Sequence, residues 1–201
     1  MAESMTTSGM TDGQIDRACE IFRAKLTKHR NELPTDAVQQ AFGDPNLSKE
    51  WLLSLRSRAD AISDMIVRRV TVDGTRTPQA AIDATGRNKY VERDSIKCMP
   101  DSASGEMDVH FFKVDRWSRD ADLEKEYELR GLVPNPRAQA AVNEADPAFA
   151  DEYPNGTQWK DAEGNWHFAT FDQWNDERDV DVDRSGGGWS DRWFVGGVRK
   201  V

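Results

Sequence analysis

Three aspartates near the carboxyl end, Asp179, Asp181 and Asp183, occupy alternate positions, as the oxygen ligands of a calcium-binding loop do. The match fails at the positions that such a loop needs most. Its sixth residue, which makes a sharp turn and should be glycine, is Arg184, and its twelfth, which should be a bidentate glutamate, is Ser190. We therefore expect no metal here and interpret the aspartates as the solvated face of a strand.

Other residue types that perform chemistry are scattered. His29, His110 and His167 are the only histidines, they lie in separate predicted elements, and no HExxH spacing is present. Cys19 and Cys98 are far apart, which argues against a disulfide framework and against a cluster of cysteine ligands. No nucleophile elbow or phosphate-binding loop is present. We expect no enzyme, cofactor or metal, and keep an enzyme with an unrecognised carboxylate site as an open alternative.

Composition limits the partners. The 201 residues include 36 acidic and 27 basic side chains, which gives a net charge of -9 and a pI near 4.9. A chain of this charge repels a phosphate backbone, so we expect no nucleic-acid partner. No apolar run approaches the length of a membrane span, and the start has no signal-peptide pattern. These features predict a cytoplasmic protein as synthesised.

The first third of the chain is predicted to be helical. Residues 1–10 are small and polar and predict a disordered tail. Within residues 11–65, Thr11 and Gln14 form a capping-box pattern, and Thr35 is expected to cap a short helix. Two apolar stripes with helical spacing follow these starts: Ile15, Cys19, Phe22 and Leu26; then Leu52, Leu55, Ala59, Ile62 and Ile66. We expect an antiparallel helical hairpin whose apolar face packs on the rest of the chain or, since the spacing is heptad-like, on a second copy as a homo-oligomer.

Residues 66–201 predict a second domain that mixes strands with short helices. Branched residues at 66–72 predict a strand, and an alternating pattern predicts another at 107–114. Residues 132–153 are expected to form short helices and turns, with Asn135 and Asp146 each capping a helix before a proline. A hairpin over 159–171 and strands near 178–184 and 193–199 complete the pattern: 66–72, 107–114, 159–171, 178–184 and 193–199. The fold class is α+β with a small, mainly antiparallel sheet.

The segment from Trp166 to Val201 has the composition of a binding surface on a rigid frame. Val180 and Val182 alternate with the three aspartates, so one face packs and the other is displayed. A glycine-rich loop follows, and then Trp189 and Trp193. A second interpretation stays open, in which the tryptophans form an ordinary sheet core and the aspartates protect an edge strand from pairing with other chains.

The run from Asn165 to Lys200 resembles the variable region of the target proteins of diversity-generating retroelements. The resemblance lies in its aromatic anchors, among them Phe168 and Phe171, and in the ending 193–200, with the sequence WFVGGVRK. It covers about the last 45 residues of the sequence. It implies a C-type-lectin-like domain whose scaffold includes four tryptophans: Trp166, Trp174, Trp189 and Trp193.

The resemblance also implies which positions are diversified. In such proteins a reverse transcriptase alters adenines, and an asparagine codon changed only at its adenines yields Asp, Ser, Gly, Arg, His or Tyr among others. Eleven residues between the aromatic anchors belong to that set and form the expected ligand-binding site: Asn175, Asp176, Asp179, Asp181, Asp183, Ser185, Gly186, Gly187, Ser190, Asp191 and Arg192. The implied function is recognition of a protein or surface ligand without chemistry. The alternative is a small acidic interaction or regulatory protein of phage or mobile-element origin.

Overall fold

The computed structural model describes residues 10–200 of the chain. The expected disordered tail, apart from Met10, lies outside the described residues. The chain divides into two compact units, and the division falls within a helix: the first unit ends at Leu55 and the second begins at Arg56.

Three helices open the described chain: α1 (Asp12–His29), α2 (Thr35–Phe42) and α3 (Pro45–Ser63). The capping box at the start of α1 is present, since the Thr11 side chain accepts from the Gln14 backbone and the Gln14 side chain accepts from the Thr11 backbone. The prediction that Thr35 caps α2 was wrong. Pro34 holds the cap position without a side-chain bond, so Thr35 is the first helical residue. None of the residues in these three helices is buried.

The second unit contains one eight-stranded sheet. Its strands are β1 (Ile66–Val72), β2 (Asn88–Val91), β3 (Gly105–Lys113), β4 (Leu132–Pro134), β5 (Asn155–Lys160), β6 (Trp166–Trp174), β7 (Glu177–Arg184) and β8 (Phe194–Arg199). The order across the sheet is β1-β3-β8-β5-β6-β7-β2, with β4 also paired to β8. Only β5 with β8 and β2 with β7 pair in parallel. The mainly antiparallel sheet and the α+β class are therefore confirmed. β4 was not expected, because its three residues are too few to show an alternating pattern.

Five short helices connect the strands: α4 (Pro78–Asp83), α5 (Arg93–Lys97), α6 (Asp120–Arg130), α7 (Pro136–Ala145) and α8 (Phe149–Glu152). Asn135 caps α7 as expected, and its side chain accepts from the Ala138 backbone at 3.0 Å. The expected cap at Asp146 was wrong, because this residue ends α7 and α8 starts after Ala148 without a side-chain cap. In the described range no helix is long and apolar enough to cross a lipid bilayer.

The two faces of the sheet are packed differently. Alternate residues of β3 reach opposite sides, where Phe111 meets Phe149 of α8 and Phe112 meets Tyr127 of α6. One face is covered by α7 and α8 over β1, β3 and β8, and by α4 and α5 over β6 and β7. The other face is covered by α6 over β3 and β8. Within the described part of the second unit, no helix covers this second face over β6, β7 and β2.

Tyr127 bridges β5 and β8 in the middle of the sheet. The parallel pairing of β5 with β8 stops after Gly156 and Val195, and the two strands then diverge. The Tyr127 hydroxyl donates to the Gly196 carbonyl at 2.9 Å and lies 3.2 Å from Thr157 Oγ1. A buried side chain thus replaces the missing backbone ladder between the strands.

Candidate functional site

The uncovered surface over β6, β7 and β2 is acidic. The strand registers place Asp172 beside Asp179, Thr170 beside Asp181, and Tyr90 beside Asp181 on its other side. We call this surface the acidic face and define it by eight residues: Asn88, Tyr90, Phe168, Thr170, Asp172, Asp179, Asp181 and Asp183. Its β6 side is partly covered by the segment 185–193, whereas its β7 and β2 side is open.

The alternation along β7 separates frame from surface. Val180 and Val182 are completely buried in the core beneath α4 and α5. Asp179, Asp181 and Asp183 lie on the opposite side of the strand and are half-buried. The side-chain oxygens are therefore held close to the sheet by a strand that cannot rotate without exposing two valines.

The carboxylates of the acidic face repel one another. Partial burial, and then the negative charges of Asp183 and Asp172, together raise the pKa of Asp181 to about 6. Asp179 Oδ1 is shielded from water and has no hydrogen-bond partner in the described part of the chain. The face therefore carries a negative potential that its own neighbours compensate poorly, and a cation placed there would relieve it.

This repulsion predicts a pH-dependent stabilisation by Asp181→Asn. The folded-state pKa is above the ordinary value of 3.8, so the wild type loses stability as the pH rises from about 4 through about 6. The asparagine side chain of the variant does not ionise, so it gains no charge as the pH rises. At pH 7.5 we expect its free energy of unfolding to be about 1 kcal/mol higher than that of the wild type, because the variant avoids a buried negative charge whose cost solvent screening reduces.

Urea denaturation at pH 7.5 and at pH 3.5 measures this difference. At pH 3.5 most of the gain should be lost, since the wild-type carboxyl is then mainly protonated in both states. Asp191→Asn, at an exposed position in the neighbouring loop, is the control and should change stability by less than about 0.5 kcal/mol at either pH. An equal gain for Asp181→Asn at both values would show that the charge is not the cause.

The segment 185–193 is fixed to the sheet by Trp189. This indole is 4% exposed, and its Nε1 donates to Asp120 Oδ1 at 3.1 Å and to Gln158 Oε1 at 2.9 Å. Two backbone bonds join Trp189 to Ser118, at 2.7 and 2.9 Å. Gly156 leaves room for the ring, because a Cβ there would lie 2.5 Å from it. The loop next to the acidic face is therefore rigidly anchored, although it contains three consecutive glycines.

The far end of the segment also contacts the face. The Arg192 guanidinium pairs with the Asp172 carboxylate and lies over the Trp193 ring, 4.2 Å from its centroid. Trp193 meets Trp189 edge to face at 6.1 Å. Ser190 is half-buried and Asp191 is exposed between these anchors. Both residues therefore belong to the segment that borders the acidic face.

The structure distributes the eleven predicted site residues over three places. Asp179, Asp181 and Asp183 lie on the acidic face, and the segment that borders it carries six of the others: Ser185, Gly186, Gly187, Ser190, Asp191 and Arg192. Asn175 and Asp176 form the two-residue turn between β6 and β7, both with positive φ, 51° and 64°. This is the geometry of a type I′ hairpin turn.

Some of these residues support the backbone. The Ser185 hydroxyl donates to Asp120 Oδ2 at 2.8 Å and accepts from the Gly187 backbone at 3.2 Å. Gly187 has φ 117°, which disfavours other residues. Ser185 is half-buried, whereas Gly187, Asn175 and Asp176 are exposed; all four also have conformational roles that limit which residues can replace them.

The four predicted scaffold tryptophans also differ from one another. Trp189 is buried, Trp166 and Trp193 are half-buried, and Trp174 is 62% exposed. The assignment of Trp174 to the frame was wrong. This residue is the last of β6, directly before the exposed turn, and its side chain projects beyond the packed part of the sheet.

Sequence reasoning missed several residues of the site. Asp172 and Phe168 could have been predicted, because each lies two residues from Thr170 and therefore on the same face of the strand. Tyr90 could not, since it reaches the face through a parallel pairing across 91 positions, from Tyr90 to Asp181. Asp120 could not have been found either, since its role depends on contacts with Ser185 and Trp189 that are distant in sequence.

A serine, a histidine and an aspartate also meet beneath the sheet. Ser95 Oγ lies 2.8 Å from His167 Nδ1, and His167 Nε2 lies 3.2 Å from Asp161 Oδ2. Hydrogen bonds from Asn165, and then from His167, hold the pKa of Asp161 well below its usual range. These are the residue types of a nucleophilic triad, but Ser95 and His167 are buried at 0% and 1% exposure. The group ties α5 to β6 and has no opening for a substrate in this conformation.

No three His, Cys, Asp or Glu side chains between residues 10 and 200 are arranged so that they could hold a metal ion. The acidic face has its carboxylates in a row along the strand and not around a common centre. Its arrangement therefore suits an extended, positively charged surface better than a single bound ion.

Comparison with known proteins gives no relative from which a function can be transferred. No family model matches the chain, and no curated protein or solved structure shows significant similarity to it.

Proposed function

We propose that the acidic face and the bordering segment 185–193 form the ligand-binding surface of a recognition protein that performs no chemistry. The observation that carries this proposal is the division within β7. Val180 and Val182 are completely buried, whereas Asp179, Asp181 and Asp183 lie on a face that no helix of the described second unit covers. A surface of this kind can change its side chains while the frame beneath it stays the same.

The chemistry of the surface selects the kind of partner. Asp179, Asp181 and Asp183 lie in one row, and Tyr90 and Trp174 are exposed beside them at 61% and 62%. Carboxylates steer and orient a basic partner, and exposed aromatic rings supply contact area with little loss of side-chain freedom. The ligand that fits is a protein surface rich in lysine and arginine.

We further propose that the scaffold is C-type-lectin-like and that the positions on its surface are diversified by a retroelement. The mixed, mainly antiparallel sheet is compatible with such a scaffold. The contact between the Phe22 and Trp51 rings, with centroids 4.7 Å apart, supports the N-terminal helical hairpin. A near-copy of the DNA encoding residues 165–195, differing mainly at adenines and lying beside a reverse-transcriptase gene, would be the direct genetic sign of diversification.

Two display libraries test the division into frame and surface. The first randomises five surface positions: Asp179, Asp181, Asp183, Ser190 and Asp191. The second, as a matched control, randomises five buried positions: Val180, Val182, Trp189, Val195 and Ala169. We expect most members of the first library to resist proteolysis and most of the second to be degraded, since core substitutions each cost about 2–5 kcal/mol.

Selection of the first library on a panel of unrelated proteins tests the function itself. Binders should appear, and restoring the original five residues should abolish their binding while leaving their resistance to proteolysis unchanged. Equal folding of both libraries, or binders whose affinity does not depend on these positions, would overturn the proposal. Binding to basic proteins by the original chain that fades with salt and depends on acids across the whole surface would favour the alternative of a general acidic interaction protein.

A further inference from the structure

The helix α1 carries an uncovered apolar stripe. Ile15, Cys19, Phe22 and Leu26 follow one another at steps of four, three and four residues, which are the a and d positions of a heptad. Phe22 contacts Trp51, yet it stays 45% exposed, and Ile15 and Leu26 are 47% and 40% exposed. A helix of this length is marginal in water without tertiary packing. The packing of Phe22 on Trp51 therefore leaves apolar area on the stripe for a further partner.

The spacing of the stripe, four, three and four residues, is the same from either end of the helix. In an antiparallel pair of two α1 helices, Ile15 of one copy faces Leu26 of the other, and Cys19 faces Phe22. Each contact then joins an a position to a d position, as antiparallel packing requires. The stripe is thus complementary to itself.

The charges beside the stripe are complementary in the same arrangement. Asp16 and Arg23 both follow a d position and so both occupy the e position of the heptad. In an antiparallel pair the e positions of the two helices face each other, which places Asp16 of one copy near Arg23 of the other, twice by symmetry. Neither side chain forms an ion pair within residues 10–200.

The exposed area is sufficient for a stable dimer. A groove of about 550 Å³ is lined by three residues of the stripe, Cys19, Phe22 and Leu26, and by mainly apolar side chains of α2 and α3. Seven large apolar residues of the stripe, the groove and the start of α3 are each 40–64% exposed: Ile15, Phe22, Leu26, Phe42, Trp51, Leu52 and Leu55. At roughly 200 Å² for a large side chain they expose about 700 Å², close to the roughly 800 Å² that each partner contributes to a standard interface.

Net charge favours this region for contact between copies. Residues 10–55 contain six Lys and Arg against seven Asp and Glu, a net charge of -1, whereas the whole chain carries -9. Two copies therefore repel each other less here than through their acidic remainder.

We propose that two copies of this chain associate through an antiparallel pairing of their α1 helices along the Ile15, Cys19, Phe22 and Leu26 stripe. The proposal is independent of the recognition function, because it uses none of the residues of the acidic face.

Light scattering and sedimentation of the full chain over a range of concentrations test the proposal. The wild type should have twice the monomer mass of 22.7 kDa. Asp16→Arg and Arg23→Asp should each weaken the dimer roughly tenfold, since each change replaces two attractive pairs with two repulsive ones. The double variant, with both charges exchanged, should regain the wild-type dissociation constant. Ala24→Asp, at a position facing away from the stripe, is the matched control and should leave the dimer intact.

Circular dichroism confirms that the variants remain helical, so that a loss of mass reports association and not unfolding. A monomeric wild type at about 100 µM would overturn the proposal, because an interface of this size should then be populated. A dimer that neither single variant weakens, or that the double variant fails to restore, would overturn it as well by showing that another surface is used.

Discussion

Replacing Trp189 with alanine should lower the free energy of unfolding by about 3–5 kcal/mol, the range observed when a large buried aromatic side chain is removed. The indole fills the space above Gly156 and donates to both Asp120 and Gln158. Its loss leaves a cavity and two buried acceptors with one partner fewer. Urea denaturation followed by tryptophan fluorescence and by far-UV circular dichroism measures the change.

Trp174→Ala is the matched control in the same stretch of chain. This tryptophan is 62% exposed, so its removal should change stability by less than about 0.5 kcal/mol. The contrast separates the two tryptophans into an anchor and a displayed side chain. Similar losses for both would mean that the segment 185–193 is not held by Trp189 in the way described.

Gly196→Ala should have the second-largest effect, a loss of about 2–3 kcal/mol. The added Cβ would lie 2.6 Å from Gln139 Oε1 and 2.8 Å from the Phe111 ring. Neither neighbour can withdraw freely, because Gln139 is fully buried and donates to Asn155 at 2.7 Å, and Phe111 is packed against Phe149. The expected result is a lower urea midpoint with an unchanged slope.

Gly186→Ala provides the comparison for this substitution. A Cβ at Gly186 meets no heavy atom within 4 Å, so the same chemical change should leave stability within about 0.5 kcal/mol of the wild type. If both substitutions were equally harmful, the cause would be the backbone preference of alanine and not the crowding around β8.

The local elements could be predicted from the sequence because their signals are local. The alternation in 178–184 predicted β7 and the inward direction of its valines. The pattern of 166–171 predicted β6 and which residues lie on each of its faces. A cap with a side-chain oxygen at Asn135 marked the start of α7. Each of these signals uses residues within a few positions of one another.

The site was predicted only in part because its remaining contacts are long-range. Residue type identified Asp179, Asp181 and Asp183 but could not show that Ser185 is bound to Asp120, which lies 65 positions earlier. Exposure could not be predicted for Trp174 either, since a tryptophan at a strand end resembles one in a core. Tyr90 belongs to the face only because a four-residue edge strand pairs in parallel with β7.

The backbone conformation of the hairpin turn at Asn175 and Asp176 restricts which residues can occupy these two positions. Both residues have left-handed backbone angles, which cost most L-amino acids roughly 1–2 kcal/mol each and which glycine, asparagine and aspartate tolerate best. Branched or bulky replacements at the tip would loosen the register of β6 on β7 and, with it, the spacing of the carboxylates. Substitutions that β7 tolerates at its surface positions would therefore destabilise the fold at the turn, whatever ligand the protein binds.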